Sequence, residues 1–129
     1  MTTQNLLRRT VLIADDDNDS RVLLAFLLEQ EGWEVKQAKD GREALEKVFQ
    51  EQPDLLILDH RMPEFTGTEV YHHIQKRGIS LTIILVTAYG CLEELSSSLG
   101  ISYFVSKPFD IPDFLNIIEC AYKKSLELV

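Results

Sequence analysis

Four stretches of the sequence place chemically capable side chains directly behind an apolar run. In VLIADDDNDS (Val11–Ser20), Asp15, Asp16, Asp17 and Asp19 crowd behind aliphatic residues. Asp59 closes DLLIL, Thr87 ends LTIILVT, and Lys107 follows SYFVS. Carboxylates this close repel one another and raise each other's pKa unless a positive charge lies among them. Oxygen ligands from two or three carboxylates suit Mg²⁺, which keeps several waters and commonly sits between carboxylates and a phosphoryl group. A carboxylate can also act as a nucleophile and form an aspartyl-phosphate. Phosphoryl transfer of that kind asks for in-line positioning, a metal and a fixed positive charge against the equatorial oxygens. The residue types match those roles: Asp59 as nucleophile, Asp15 and Asp16 as metal ligands, Lys107 as the fixed charge and Thr87 as a hydroxyl donor. Alone, each is an ordinary polar residue at a strand end or loop; the argument lies in their coincidence.

That coincidence requires elements that bring the stretches to one place. Thr10–Ala14 reads as a buried strand, followed by a helix in SRVLLAFLLEQEG, with Asp19 and Ser20 as capping candidates and Gly32 as its end. Trp33–Ala38 is a shorter strand. DGREALEKVFQEQ is a second helix with Ala44, Leu45, Val48 and Phe49 on one face, ended by Pro53. Asp54–Leu58 is another apolar strand, and a third helix is expected near Thr68–Arg77. Leu81–Thr87 and Ser102–Ser106 complete the strands. CLEELSSSLG between them is expected to form a brief fourth helix, its serines favouring caps and turns. IPDFLNIIECAYKKSLEL is the last helix, with Pro112 in its first turn, where proline is tolerated. Continuous apolar strands alternating with helices specify an α/β fold: a doubly wound parallel sheet of five strands, covered by five helices. Ligands of such sheets bind beyond the carboxyl ends of the strands, and every chemical residue named above falls there.

Length and composition agree with one domain. The chain has 129 residues and is 45% hydrophobic, enough for a core without staples. No apolar run approaches the roughly 20 residues that span a bilayer. MTTQNLLRRT lacks a following apolar h-region, so a cytoplasmic address is expected. Cys91 and Cys120 match no metal or redox spacing and read as reduced packing residues. A formal net charge of −8 argues against direct nucleic-acid binding and suits a bound cation or basic protein partners. His72 and His73 do not share a helix face and make no metal pair.

With these residues in order, the chain resembles the receiver domain of two-component response regulators. The likeness is carried by VLIADD, PDLLILDHRMPEFTG, IILVTAYG and FVSKPFD. TAYG with KPFDI looks most like single-domain receivers of sporulation-type phosphorelays; the chemotaxis receivers are also similar. The resemblance implies a flavodoxin-like strand order of 2-1-3-4-5, with a receiver over residues 9–124, an extension at 1–8 and a tail at 125–129. It implies that Asp59 accepts a phosphoryl group from a histidine kinase or histidine phosphotransfer protein. Asp15, Asp16 and Asp59, with the backbone carbonyl of Arg61, would hold Mg²⁺. Lys107 would precede a cis bond to Pro108, and Thr87 and Phe104 would form the switch. Their movement would reshape the face of the fourth helix, fifth strand and fifth helix for an unknown downstream protein. No effector domain follows the fifth helix in this sequence, which leaves a stand-alone regulator and an excised domain both open.

Departures from the pattern and rival readings qualify this expectation. Asn18 and Thr66 stand where the family often has proline and aspartate. His60, Arg61 and Tyr89 are bulky residues near the acceptor, and slow decay of the phosphoform is expected from them. The interval between Thr87 and Lys107 looks about two residues short for the family, which touches partner choice. One rival is a receiver-like interaction module that works without phosphorylation. Another is a small phosphohydrolase of the haloacid-dehalogenase kind, using Asp15 and Asp17 as its DxD pair. The phosphorylated aspartate separates the hydrolase from the receiver: Asp15 for the former, Asp59 for the latter.

Overall fold

The computed structural model describes residues 9–88, 101 and 103–127. The described strands are β1 (Arg9–Ala14), β2 (Trp33–Ala38), β3 (Leu55–Asp59), β4 (Thr82–Ala88) and β5 (Tyr103–Lys107). The helices are α1 (Asn18–Gln30), α2 (Gly41–Glu51), α3 (Gly67–Lys76) and α4 (Ile111–Glu127). All strands are parallel, in the order β2-β1-β3-β4-β5. The expectation of five helices is corrected to four among the described residues; CLEELSSSLG lies outside them, as do Cys91 and Tyr89. The last helix runs through Glu127, in keeping with the helix read over IPDFLNIIECAYKKSLEL.

Strand periodicity divides the core. Val11, Ile13, Leu55, Ile57, Ile84 and Val86 face one side, where Leu24 and Leu28 of α1 and Phe114 and Ile118 of α4 cover them. Leu12, Leu56, Leu58 and Leu85 face the other, against Ala44 and Val48 of α2 and Val70 and Ile74 of α3. Both faces are covered, so the interiors of the central strands, Val11–Ala14, Leu55–Leu58 and Ile83–Val86, carry no polar residue. Each fully buried Leu or Ile contributes about 1.5–3 kcal/mol relative to exposure, which makes a polar slip inside β3 costly. The next polar residue after each apolar interior is therefore delivered at the carboxyl rim.

Helix starts are set by side-chain caps. The expected caps of α1 are corrected: Asp17, not Asp19, takes the N-cap, its carboxylate accepting from the Ser20 amide at 3.0 Å. Asp19 sits in the first turn instead. The physical reason is that the helix begins at Asn18, two residues earlier than its apolar periodicity suggests. Asp40 caps α2 at the Glu43 amide, and Thr66 and Glu69 form a reciprocal capping box on α3. The Asp110 carboxylate accepts from the Asp113 amide at the start of α4. Gly32 at φ +92° carries the chain out of α1 into β2.

Trp33 is buried at the sheet's amino end. Arg9 lies over its ring at 4.3 Å while pairing with Glu119 of α4 at 2.7 Å. Cys120 is exposed on α4, which corrects its reading as a packing residue: it points away from the face that buries Ile118 and Ala121.

Candidate functional site

Strand β1 lies between β2 and β3, and the successive crossovers β1–α1–β2 and β2–α2–β3 cover opposite faces of the sheet. The carboxyl ends of β1 and β3 consequently open onto a crevice. Asp15 follows β1 and Asp59 ends β3; Ala14 and Leu58 are register partners one residue earlier. Both carboxylates are buried, at 3% and 8% exposure. Asp16 is exposed beside them. One carboxylate oxygen from each of Asp15, Asp16 and Asp59 lies within 4.8 Å of the others. Three hard oxygen donors converging like this fit a small divalent cation such as Mg²⁺.

The fixed charge arrives from β5. The Lys107 ammonium donates to Asp59 Oδ2 at 2.8 Å and lies 3.9 Å from Asp15 Oδ2. The bond from Lys107 to Pro108 is cis, as the family resemblance implied. The Arg61 amide donates to Asp59 Oδ1 at 3.2 Å, and the Asp17 amide to Asp15 Oδ1 at 2.9 Å. One ammonium does not balance three carboxylates. Burial raises the Asp15 carboxyl to about 6, the neighbouring Asp59 charge adding to it, while the Asp17 hydrogen bond and Lys107 oppose. Partial burial pulls the Lys107 ammonium down, but its hydrogen bond to Asp59 and the charges of Asp59, Asp15 and Asp17 leave it above its ordinary value.

Thr87 stands one strand further along, one residue past Val86, the register partner of Asp59. It is buried at 1% exposure, and its hydroxyl finds no hydrogen-bond partner among the described residues. An orphaned buried hydroxyl costs about 1–3 kcal/mol, an expense that a ligand at the rim would relieve. Phe104 is half-buried against the α2–α3 side of the core, paired in register with Leu85. Thus Asp15, Asp16, Asp59 and Lys107 meet directly, whereas Thr87 and Phe104 stand behind them. Asp17 does not join the cluster. Its carboxylate is spent on the α1 cap, and that hydrogen bond lowers its pKa.

Beside the carboxylates lies a cavity of about 470 Å³, lined by Asp15, Asp59 and Lys107 and by Leu23, Leu24, Val86, Pro108, Phe109 and Ile111. Its walls are apolar except where Asp15, Ser20, Asp59 and Lys107 open into it. Val22, Leu23 and Phe26 extend the apolar surface along α1, each about half exposed.

Two supports were not foreseen. Gly41 begins α2 so close to the loop after β3 that a Cβ there would lie 2.3 Å from the Phe65 carbonyl oxygen. Arg21 binds the loop after β1 from within α1. DG before an amphipathic run signalled a helix start without revealing what packs on it, and an arginine in a first turn carries no local signal of its target.

The response regulator receiver domain model matches residues 11–119. The chain belongs to the response regulator receiver family. Among receivers, sporulation initiation phosphotransferase F of Bacillus subtilis is 35% identical over 125 residues, covering 95% of this chain and 98% of that protein. The alkaline phosphatase synthesis transcriptional regulatory protein PhoP of the same organism is 34% identical over 107 residues. That match covers 80% of this chain but only 44% of PhoP. The CheY-like receiver structure from Methanospirillum hungatei superposes with a TM-score of 0.87 at 30% identity, covering 95% of this chain and 99% of that one. The chain is therefore a signalling module of the two-component type. No helix of the described residues is long and apolar enough to cross a membrane.

Proposed function

We propose that this receiver accepts a phosphoryl group from a phosphohistidine donor onto Asp59 in a Mg²⁺-dependent reaction, in the cytoplasm, and thereby alters a surface read by another protein. The observation that carries this reading is the convergence of Asp15, Asp16 and Asp59 oxygens within 4.8 Å, with the Lys107 ammonium 2.8 Å from Asp59. Asp15, Asp16, Asp59 and the Arg61 carbonyl would hold the cation. Held there, Mg²⁺ would supply positive charge that offsets the charge of the carboxylates and of the transferring phosphoryl group.

The chain's own residues supply the rest. An Asp59 oxygen forms the new P–O bond as the donor's P–N bond breaks, and the imidazole leaves with the bonding pair. Lys107 stays as the fixed cation against the phosphoryl oxygens, exchanging its carboxylate partner for them. Thr87 turns its unsatisfied hydroxyl to the phosphoryl group, and Phe104 follows into the space behind it. The face bordered by β5 and α4 changes with them, which is where a downstream protein would read the state. Because Asp59 is buried, the donor must reach into the cavity, and the apolar run of Val22, Leu23 and Phe26 gives a donor helix a surface to rest on. Arg61 flanks the acceptor and hinders attacking water, favouring a slowly decaying phosphoform; the protein catalyses both its own phosphorylation and that loss.

The hydrolase reading is disfavoured by geometry, since Asp17 is engaged in capping α1. The phosphorylation-independent module has no specific observation in its favour. Intact mass after incubation with acetyl phosphate tests the proposal, with and without Mg²⁺, on the native protein and Asp59→Asn. A Mg²⁺-dependent gain of one phosphoryl group, absent from the variant, is expected. A folded native protein that gains nothing would defeat the reading.

A further inference from the structure

We infer that Arg21 is a positioning residue: its guanidinium fixes the peptide joining Asp15 to Asp16, and so presets the acidic pair for its cation. The inference rests on the Mg²⁺ reading of the site. Arg21 lies one turn into α1 and is half-buried. Its Nη1 donates to the Asp15 carbonyl oxygen at 2.8 Å, and its Nε donates to Gln37 Oε1 of β2 at 3.1 Å. Its Nη2 donates to Asn18 Oδ1. One planar fork therefore ties the end of β1, the start of α1 and the neighbouring strand. Gln37 is itself anchored, since its carbonyl accepts from Lys47 of α2.

The consequence falls on Asp16 more than on Asp15. Asp15 is also held by its own amide, which donates to the Ala38 carbonyl at 3.1 Å, and by the Asp17 amide on its carboxylate. Asp16 is exposed, and among the described residues no hydrogen bond reaches its carboxylate. Its direction depends on the plane of the peptide before it, and that plane is what Arg21 holds. A planar, always-charged guanidinium suits such a task, because several donors are fixed in one geometry. Outer partners that orient metal ligands are worth roughly 10–100-fold in metal affinity.

Charge makes the claim decidable. A cation near a cation site repels its ion, so deleting Arg21 for its charge alone would tighten Mg²⁺ binding. Deleting it as a positioning group would loosen binding.

The test is a Mg²⁺ titration followed by the amide NMR shifts of residues 15–18 and 59–61, with thermal unfolding beside it. Native protein is compared with Arg21→Gln, Arg21→Lys and Gln37→Leu. The Mg²⁺ Kd is expected to rise about ten-fold in Arg21→Gln. A smaller rise, about three-fold, is expected in Arg21→Lys and Gln37→Leu, which keep part of the tie. An unchanged or tighter Kd in a folded variant overturns the inference, even if its melting temperature drops. If Arg21→Gln does not fold, the two milder variants decide by the same criterion. Failure of the native protein itself to bind Mg²⁺ would instead overturn the reading of the site as a Mg²⁺ centre.

Discussion

Replacing Asp15 with asparagine should stabilise the metal-free protein while destroying its response to Mg²⁺. The carboxylate is 3% exposed, faces Asp59, and shares with it a single ammonium. Its folded pKa of about 6 stands above the ordinary 3.8, so the ionised form is disfavoured in the folded state. Ionising the folded group at neutral pH then costs up to about 3 kcal/mol, 1.36 kcal/mol for each pKa unit. Below the unfolded pKa both states are protonated and the penalty vanishes. It grows through the window from 3.8 to about 6 and is complete above it. Asparagine retains the oxygen that accepts from the Asp17 amide but carries no charge. In EDTA at pH 7.5, Asp15→Asn should therefore be more stable by about 1–3 kcal/mol, or roughly 4–12 °C. The advantage should shrink to roughly half at pH 5. Urea and thermal unfolding can be followed by fluorescence of Trp33, the single tryptophan. Adding Mg²⁺ should stabilise the native protein and leave the variant nearly unmoved. A variant less stable than native in EDTA, or an advantage that grows toward pH 5, would refute the account of the cluster as undercompensated charge.

Other residues yield further expectations. Lys107→Ala removes the ammonium 2.8 Å from Asp59; it should destabilise the EDTA-treated protein by about 1–3 kcal/mol and slow phosphorylation by acetyl phosphate at least about ten-fold, read by unfolding and intact mass. Gly41→Ala would set a methyl 2.3 Å from the Phe65 carbonyl; a loss of about 1–3 kcal/mol in urea unfolding is expected, with shifted amides across the loop after β3. Arg9→Ala deletes the cation over Trp33 and the pair with Glu119. A cost of about 1–2 kcal/mol should accompany altered Trp33 emission, with Mg²⁺ affinity unchanged because the cluster lies at the other end of the sheet.

The sequence by itself determined the layered fold and which polar residues gather at one rim of the sheet. Continuous apolar strands such as LTIILVT and DLLIL are readable because burial on both faces leaves no alternation to confuse. A polar residue ending each run marks the same rim, and so Asp15, Asp59, Thr87 and Lys107 could be grouped without coordinates. The strand order came from the family likeness, since pairing between distant strands leaves no local trace. Local signals failed where neighbouring residues compete for one role: Asp19 and Ser20 read as caps of α1, and a helix start two residues earlier gave that role to Asp17. Only tertiary structure could show that Lys107 touches Asp59 before Asp15, that Gly41 yields space to Phe65, and that Arg21 of α1 reaches the carbonyl of Asp15. Those relations depend on how helices seat on the sheet to within an ångström. Packing across the whole chain sets that seating, and residue type and spacing do not encode it one segment at a time.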